Sequence, residues 1–272
     1  MKIHKLTAKI GAEISGIDLS KPLTNQEKLD LKNAFIDNYV LFFRDQIMDP
    51  EYLPTVISQF GENYINRGEP KYKNNPLVGH FISDENTTFS TVEGYYMHAD
   101  RTSVRNPPRT SMLYITECPE VGGDTVFANV VAAYEALRES EKPLLSFIKA
   151  IHLSPVRTTR EAMAYPALPG KDLALPQIAV HPVIATRPET QEKLIYVNEA
   201  FTSSIATISA VEGNQILTKL YNHIINPRFS CRFKWTPNTI AWWDNLGTQH
   251  QAIWDYHPHR RISHRVLSQN LY

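Results

Sequence analysis

Trp243-Asp244-Asn245-Leu246-Gly247-Thr248-Gln249-His250, followed by Arg261-Ile262-Ser263-His264-Arg265, is the stretch on which the reading of this chain turns. Short apolar runs separated by turn residues fill 229–269, a pattern of short strands rather than helices. If 261–268 is one of those strands, side chains two apart share a face, and Arg261, Ser263 and Arg265 point the same way. Two guanidinium groups on a buried face need anions, and a carboxylate matches the guanidinium fork. Taken alone, the same two arginines fit a solvated edge strand equally well.

The second signal lies upstream, at His98-Ala99-Asp100. On a strand, this spacing sets an imidazole and a carboxylate side by side, ready for adjacent positions on one metal ion. His-x-Asp by itself is weak, because it arises often by chance. With His250 it becomes specific. Two His and one carboxylate on one face of an octahedral ion leave three positions open, the arrangement of non-haem Fe(II) oxygenases. Catalytic zinc sites usually close at four ligands instead. Three open positions have room for two oxygens of a 2-oxo acid and for O2, and Arg261 would supply the cation for the acid's distal carboxylate.

Short strands recur through the rest of the chain. Residues 3–19 alternate apolar and polar around Gly11 and Gly16, and 39–43 reads as a buried strand. Thr24-Asn25-Gln26-Glu27 is a capping box before a helix carrying Leu31, Ala34 and Phe35 on one face. A short helix is expected over 50–60, ending at Gly61. The stretch 63–93 reads mostly as loop with a strand at 78–82, and 95–128 as β runs between turns. A helix after Asn129 turns Tyr134 and Leu137 inward, and strands are expected at 179–186 and 193–197. Ser209-Ala210-Val211-Glu212 opens a helix with Ile216, Leu217, Leu220, Tyr221 and Ile224 on its apolar face. Many short strands with few helices point to a β-sandwich or barrel, mainly β with flanking helices. The chain is read as one domain, 1–272. In it 63–93 and the proline-bearing 155–178, with Arg157 and Arg160, are mobile lids that exclude water from the substrate.

Composition narrows the partners. Lys plus Arg and Asp plus Glu are 28 each, so no basic excess points to nucleic acid or an anionic membrane. No run approaches roughly 20 apolar residues, and the first residues lack an apolar leader, so a soluble cytoplasmic protein is expected. Association into a homo-oligomer is also expected. Cys118 and Cys231 have no C-x-x-C partner and read as structural thiols.

Further blocks stand in order along the chain. They are Ile10-Gly11-Ala12-Glu13-Ile14-Ser15-Gly16-Ile17-Asp18-Leu19, Phe43-Arg44-Asp45-Gln46, Phe60-Gly61, Pro107-Pro108 and Gly122-Gly123-Asp124-Thr125, then His181-Pro182-Val183 and Tyr196-Val197-Asn198-Glu199-Ala200-Phe201. With His98-Ala99-Asp100, Gln249-His250 and Arg260–Arg265, the chain resembles, nearly end to end, the taurine dioxygenase/2,4-D dioxygenase family of Fe(II)/2-oxoglutarate oxygenases. That resemblance implies a double-stranded β-helix, the cupin-like jelly roll. It implies Fe(II) on His98, Asp100 and His250, with 2-oxoglutarate and O2 as co-substrates. It implies Thr125 and Arg261 on the co-substrate's remote carboxylate, and Arg265 between co-substrate and substrate. Related halogenases carry a small residue where Asp100 stands, so halogenation is not expected.

The substrate side departs from taurine-binding relatives, which place polar residues near Asn66 and where Gly94 stands. Tyr95, Tyr96, Arg101 and Phe201 are candidate pocket residues for a larger or aromatic molecule, while Arg265 still permits an acidic group. His181 and Asn198 read as structural, and Trp243–Asn245 as a turn that aims His250. The expected activity is hydroxylation of a small organic molecule with release of succinate and CO2. Desaturation, cyclisation and oxidative decarboxylation in natural-product biosynthesis share the same residues. An inactive metabolite-binding jelly roll is the reading from another class, and the complete set His98, Asp100, His250 and Arg261 argues against it.

Overall fold

A computed structural model describes residues 1–66, 69–88, 94–154 and 177–272. Strands β1 (Lys2–Lys5) and β2 (Ala12–Ser15) pair antiparallel across a connection in which Gly11 has φ 86°, a backbone that favours glycine. Helix α1 (Asn25–Asn38) starts at the Thr24 capping box: the Thr24 hydroxyl accepts from Glu27 N–H, and the Glu27 carboxylate accepts from Thr24 N–H at 2.8 Å. It buries Leu31, Ala34 and Phe35 as the spacing requires. Strand β3 (Val40–Phe43) follows, buried throughout. The expected helix over 50–60 is shorter: a 3-10 turn at Pro50–Tyr52 runs into α2 (Leu53–Ile57). Beyond Ile57 the bonds Gln59 N–H to Val56 O and Phe60 N–H to Ile57 O tighten the chain and end the α-helix before Gly61.

Strand β4 (Asn63–Tyr64) lies in the stretch expected to be mostly loop, and β5 (Gly79–Ser83) falls on the strand expected at 78–82 within it. Next come β6 (Thr110–Glu117), β7 (Thr125–Asn129), α3 (Val130–Glu135), α4 (Lys142–Phe147) and β8 (Lys149–Ser154). The segment 155–176, which holds most of the expected second lid with Arg157 and Arg160, lies outside the described residues. The chain resumes with β9 (Gln177–Pro182), β10 (Ile184–Thr186), β11 (Lys193–Ile195) and β12 (Thr202–Ile205). It closes with α5 (Ala210–Ile224), β13 (Ser230–Phe233), β14 (Thr239–Asp244), β15 (Thr248–Ala252) and β16 (Arg261–Ser268). No described helix is long and apolar enough to cross a membrane.

The larger sheet runs β1-β2-β3-β14-β6-β16-β4, with β5 also paired to β16, and is antiparallel except for β2 with β3. The smaller sheet is β13-β7-β15. Alternation along β3 and β14 decides what each face meets. Phe42, Ala241 and Trp243 turn toward the smaller sheet, where the Phe42 ring stacks on Phe233 at 3.7 Å and meets Phe127 edge-on at 5.5 Å. Leu41, Phe43, Ile240 and Trp242 turn the other way, and Trp242 packs on Phe35 at 4.0 Å and Phe60 at 4.3 Å. The result is a jelly roll: two facing sheets, with α1 and α2 covering the back of the larger one. A third sheet, β12-β8-β9, lies beside them, and α5 buries Leu217, Leu220 and Ile224.

One buried ion cluster joins these layers. Asp244, at the end of β14, has no exposed surface and accepts from Arg187 Nε at 2.8 Å and from Arg109. The same carboxylate accepts from Leu246 N–H at 2.9 Å and Gly247 N–H at 2.8 Å, closing the turn into β15. Arg187, 1% exposed, also donates to Ile36 O at 2.8 Å and lies over the Tyr39 ring. Removing the carboxylate leaves Arg187 with only its 3.3 Å contact to Glu192 and Arg109 with only Glu189, and takes away the buried anion that the two guanidinium groups share. We expect Asp244→Ala to lower unfolding free energy by about 3–5 kcal/mol, read by urea denaturation. A loss below about 1 kcal/mol would show that the cluster is not a structural pin.

Candidate active site

Strand β15 carries His250 inside the sandwich, paired with Phe127 on β7. His98 reaches it through one isolated bridge: His98 N–H donates to His250 O at 3.0 Å and His250 N–H to His98 O at 2.7 Å. The expectation that His98-Ala99-Asp100 forms a regular strand is thus corrected. The bridge is a single pair, and the chain turns immediately, with Arg101 at φ 58°. Asn245 holds Asp100 in place of a ladder. Its Oδ1 accepts from Asp100 N–H at 2.6 Å, and its Nδ2 donates to Asp100 O at 2.9 Å and to Pro108 O at 2.8 Å. The Trp243–Asn245 turn therefore positions Asp100 as well as His250, which the sequence reading did not see.

His98, Asp100 and His250 are all buried, and their candidate ligand atoms lie within 4.8 Å of one another. His98 Nδ1 sits 2.8 Å from Tyr96 O and donates there as N–H, while Nε2 lies 3.8 Å from Asp100 Oδ1. Burial, and then the neighbouring His98, push the His250 imidazolium down to about 3, so the ring is neutral near pH 7, the form that binds metal. Burial alone would raise Asp100, but Arg265 and the two imidazoles outweigh it and hold the carboxyl well below the usual range. Ser111 Oγ donates to Asp100 Oδ2 at 2.6 Å. His250 Nδ1 is buried without a hydrogen-bond partner among the described residues. Two imidazoles, that of His250 held neutral by burial, and one ionised carboxylate fit a borderline divalent ion such as Fe(II) better than Mg(II) or Ca(II), which prefer all-oxygen shells.

The three donors open into a cavity of about 680 Å3, whose wall also contains Thr125, Arg261 and Arg265. Arg261, Ser263 and Arg265 all face it from β16, as the period of two requires. Arg261 is deep in the wall, 5.9 Å from the Trp235 ring, and its Nε has no partner. Among the described residues no carboxylate lies within ion-pair reach of it. The Thr125 hydroxyl accepts from Trp235 Nε1 at 2.9 Å, which leaves its own proton to donate. Arg265 differs. Its Nη1 donates to Asp100 Oδ1 at 2.6 Å and its Nη2 to Glu69 Oε1, with the Phe81 ring 5.2 Å away.

Asn66, Tyr95, Tyr96, Arg101 and Phe201 line the same cavity. The Tyr95 and Tyr96 rings meet edge-on at 5.2 Å, and Phe201 lies 6.1 Å from the His98 ring. Asn198 Oδ1 accepts from Phe201 N–H at 3.0 Å and Asn198 Nδ2 donates to Thr102 Oγ1 at 3.0 Å, so it shapes the turn below Phe201. Arg101 Nη2 donates to Gln177 Oε1 at 2.9 Å. His181 lies apart from the three donors, its Nε2 at 2.9 Å from Thr102 O and 3.1 Å from Val104 O. Cys118 and Cys231 are free thiols, and burial pushes Cys231 up to about 12. The sequence reading missed Glu69, Ser111 and Trp235. For Glu69 no local signal existed, because its meeting with Arg265 is a tertiary contact between residues far apart in sequence.

The family model described as taurine catabolism dioxygenase TauD, TfdA family, matches residues 2–267. The chain is 30% identical to an alpha-ketoglutarate-dependent sulfonate dioxygenase of Saccharomyces cerevisiae, over 99% of this chain and 67% of that protein. It is 28% identical to an alkylsulfatase of Acinetobacter baylyi, over 98% of this chain and 84% of that one. Among solved structures, a taurine dioxygenase from Burkholderia xenovorans superposes with a TM-score of 0.82 at 27% identity, covering 98% of this chain and 88% of that one.

Two buried histidines set an acid limit on the metal-free fold. His250 and His152 are each pushed by burial from 6.5 to about 3. Unfolding lets each take up a proton near its ordinary value, so the unfolded state binds more protons throughout the window between about 3 and 6.5. Stability is therefore fully present above that window and falls as pH drops through it, by about 1.4 kcal/mol per pH unit for each histidine. Denaturation midpoints in chelator should fall between pH 6.5 and 5, with a shallower slope in His152→Gln. A flat profile over that interval would mean that neither ring is held neutral.

Proposed function

The chain belongs to the TauD/TfdA family and is a 2-oxoglutarate-dependent dioxygenase acting on a small organic molecule; on that footing we propose that His98, Asp100 and His250 hold Fe(II) and that Arg261 and Thr125 hold the distal carboxylate of 2-oxoglutarate. The observation that carries this reading is the pairing, in one cavity, of a buried three-donor cluster with a half-buried guanidinium whose Nε is orphaned and which, among the described residues, has no carboxylate in ion-pair reach. Two neutral imidazoles and one carboxylate leave a divalent ion with one positive charge, which an oxo acid can neutralise. The acid's second carboxylate then meets Arg261, whose own burial disfavours leaving it uncompensated. Thr125 donates its hydroxyl proton to the same group. Fe(II) held by these three residues would let O2 and 2-oxoglutarate supply the oxidising power for a substrate C–H bond, with succinate and CO2 as the products.

The remaining wall residues bind, orient and exclude water. Ser111 and Asn245 fix Asp100 in rotation and height. Phe127 and Trp243 pack on the His250 ring at 5.8 Å and 4.8 Å and keep that side dry. Tyr95, Tyr96 and Phe201 offer aromatic surface to the substrate, with Arg101 beside them. Hydroxylation is the outcome this site needs least else to perform, since no side chain is required to move a proton from the substrate. Desaturation, cyclisation and oxidative decarboxylation would use the same residues.

Anaerobic titration with Fe(II) and 2-oxoglutarate, followed by the visible metal-to-ligand absorption, tests the assignment. Wild-type protein should show the band and Asp100→Ala should not. A charge-assisted contact contributes about 1.5–3 kcal/mol, so Arg261→Ala should weaken 2-oxoglutarate binding by roughly ten- to a hundredfold. A band that persists in Asp100→Ala, or unchanged 2-oxoglutarate affinity in Arg261→Ala, would remove that residue from its role.

A further inference from the structure

The two pocket arginines of β16 have opposite circumstances, although they share one strand face. Among the described residues Arg261 has no carboxylate in ion-pair reach, whereas Arg265 meets a carboxylate at each terminal nitrogen: Asp100 Oδ1 at 2.6 Å from Nη1, and Glu69 Oε1 at Nη2. The Glu69 side chain is only 10% exposed, and Glu69 lines the cavity together with Asn66 and Pro70. Its carboxylate is seated rather than merely near. Asn66 Nδ2 donates to the same Oε1 that Arg265 contacts. Gly79 stands directly opposite Arg265 in the β5–β16 pairing, and a Cβ at position 79 would collide with Glu69 Oε2. The space left by that missing side chain accommodates the carboxylate. The ring of Phe81, two residues further along β5 on the same face, lies 5.2 Å from the guanidinium carbon.

We infer that Glu69 is a specificity-determining residue: it occupies the anion position on Arg265 and makes this wall of the pocket an acceptor for a hydroxyl, amide N–H or ammonium of the substrate, not a receptor for a sulfonate or sulfate. The inference rests on the dioxygenase reading of the cavity given above. A sulfonate approaching Arg265 would either displace Glu69 from its notch or lie beside it, placing a third anion, after Asp100 and Glu69, against one guanidinium in a confined pocket where their repulsion is poorly screened. With Glu69 in place, Arg265 is already neutralised. What the wall still offers is the lone-pair capacity of a carboxylate, which only a donor can use.

The full chain, with and without Fe(II) and 2-oxoglutarate, is titrated anaerobically with methanesulfonate in a calorimeter. The variants are Glu69→Gln, which keeps the shape and removes the charge, and Glu69→Ala, which removes both. Circular dichroism confirms the fold of each. Wild-type protein should bind methanesulfonate at least about tenfold more weakly than either variant, and adding Arg265→Met to Glu69→Gln should abolish the gain. Equal affinity in wild type and both variants overturns the inference, and so does a gain that survives Arg265→Met. The visible Fe(II)–2-oxoglutarate absorption of the wild type is recorded in the same samples. Its absence would overturn the reading of the cavity as a dioxygenase site, a result distinct from any pattern of sulfonate affinities.

Discussion

At the end of β14 the Asp244 carboxylate, sealed from solvent, accepts from two guanidinium groups and from the backbone N–H groups of Leu246 and Gly247. Arg187 and Arg109 bring with them the β10–β11 hairpin and the start of β6, so one carboxylate ties two distant parts of the chain to one turn. The consequences run outward from that turn. The next residue, Asn245, takes both backbone groups of Asp100, and the strand that leaves the turn delivers His250. Residues distant in sequence therefore reach one point because a single buried anion fixes the corner between them. Charges buried in this way are strongly held only when every partner is present, which is why the corner is rigid.

How much of this was legible in the sequence depends on the range over which each feature is determined. Arg261, Ser263 and Arg265 could be assigned to one face because a strand's period of two is a local property. The capping boxes at Thr24 and Ser209 were legible for the same reason. His98, Asp100 and His250 were recognisable by residue type and by the order of the surrounding blocks. The backbone that holds them was not. An isolated bridge has no periodicity, and the bonds from Asn245 to Asp100 depend on a tertiary approach that propensity cannot anticipate. Glu69 was hidden for a related reason: its place depends on a notch at Gly79, and no local pattern links the two. The early end of α2 reflects a switch to 3-10 bonding that hydrophobic spacing does not encode.

Strand β16 sorts charge along its length. Near its start it presents a guanidinium that, among the described residues, has no carboxylate in reach, and four residues later one that meets two. On the proposed reading the first would receive a dianionic co-substrate, while the second already carries its anions. This layout keeps the empty pocket free of a large unbalanced field while leaving one deep position that is electrostatically incomplete. A strand is well suited to this because alternate residues reach the same cavity at fixed spacing.

The segment 94–101 contributes two of the three donors or their immediate neighbours, yet no ladder secures it. Reciprocal bonds between His98 and His250, the bond from Ala252 N–H to Gly94 O, and the Asn245 contacts are its main backbone ties. A segment joined to its neighbours by an isolated bridge rather than a continuous ladder opens locally at lower free energy than a central strand such as β14. An ion held, as proposed, between this segment and β15 would act as a crosslink between a soft element and a hard one. Part of its binding energy would order the soft side, so metal occupancy and local folding of 94–101 would be thermodynamically linked, each strengthening the other by the same amount.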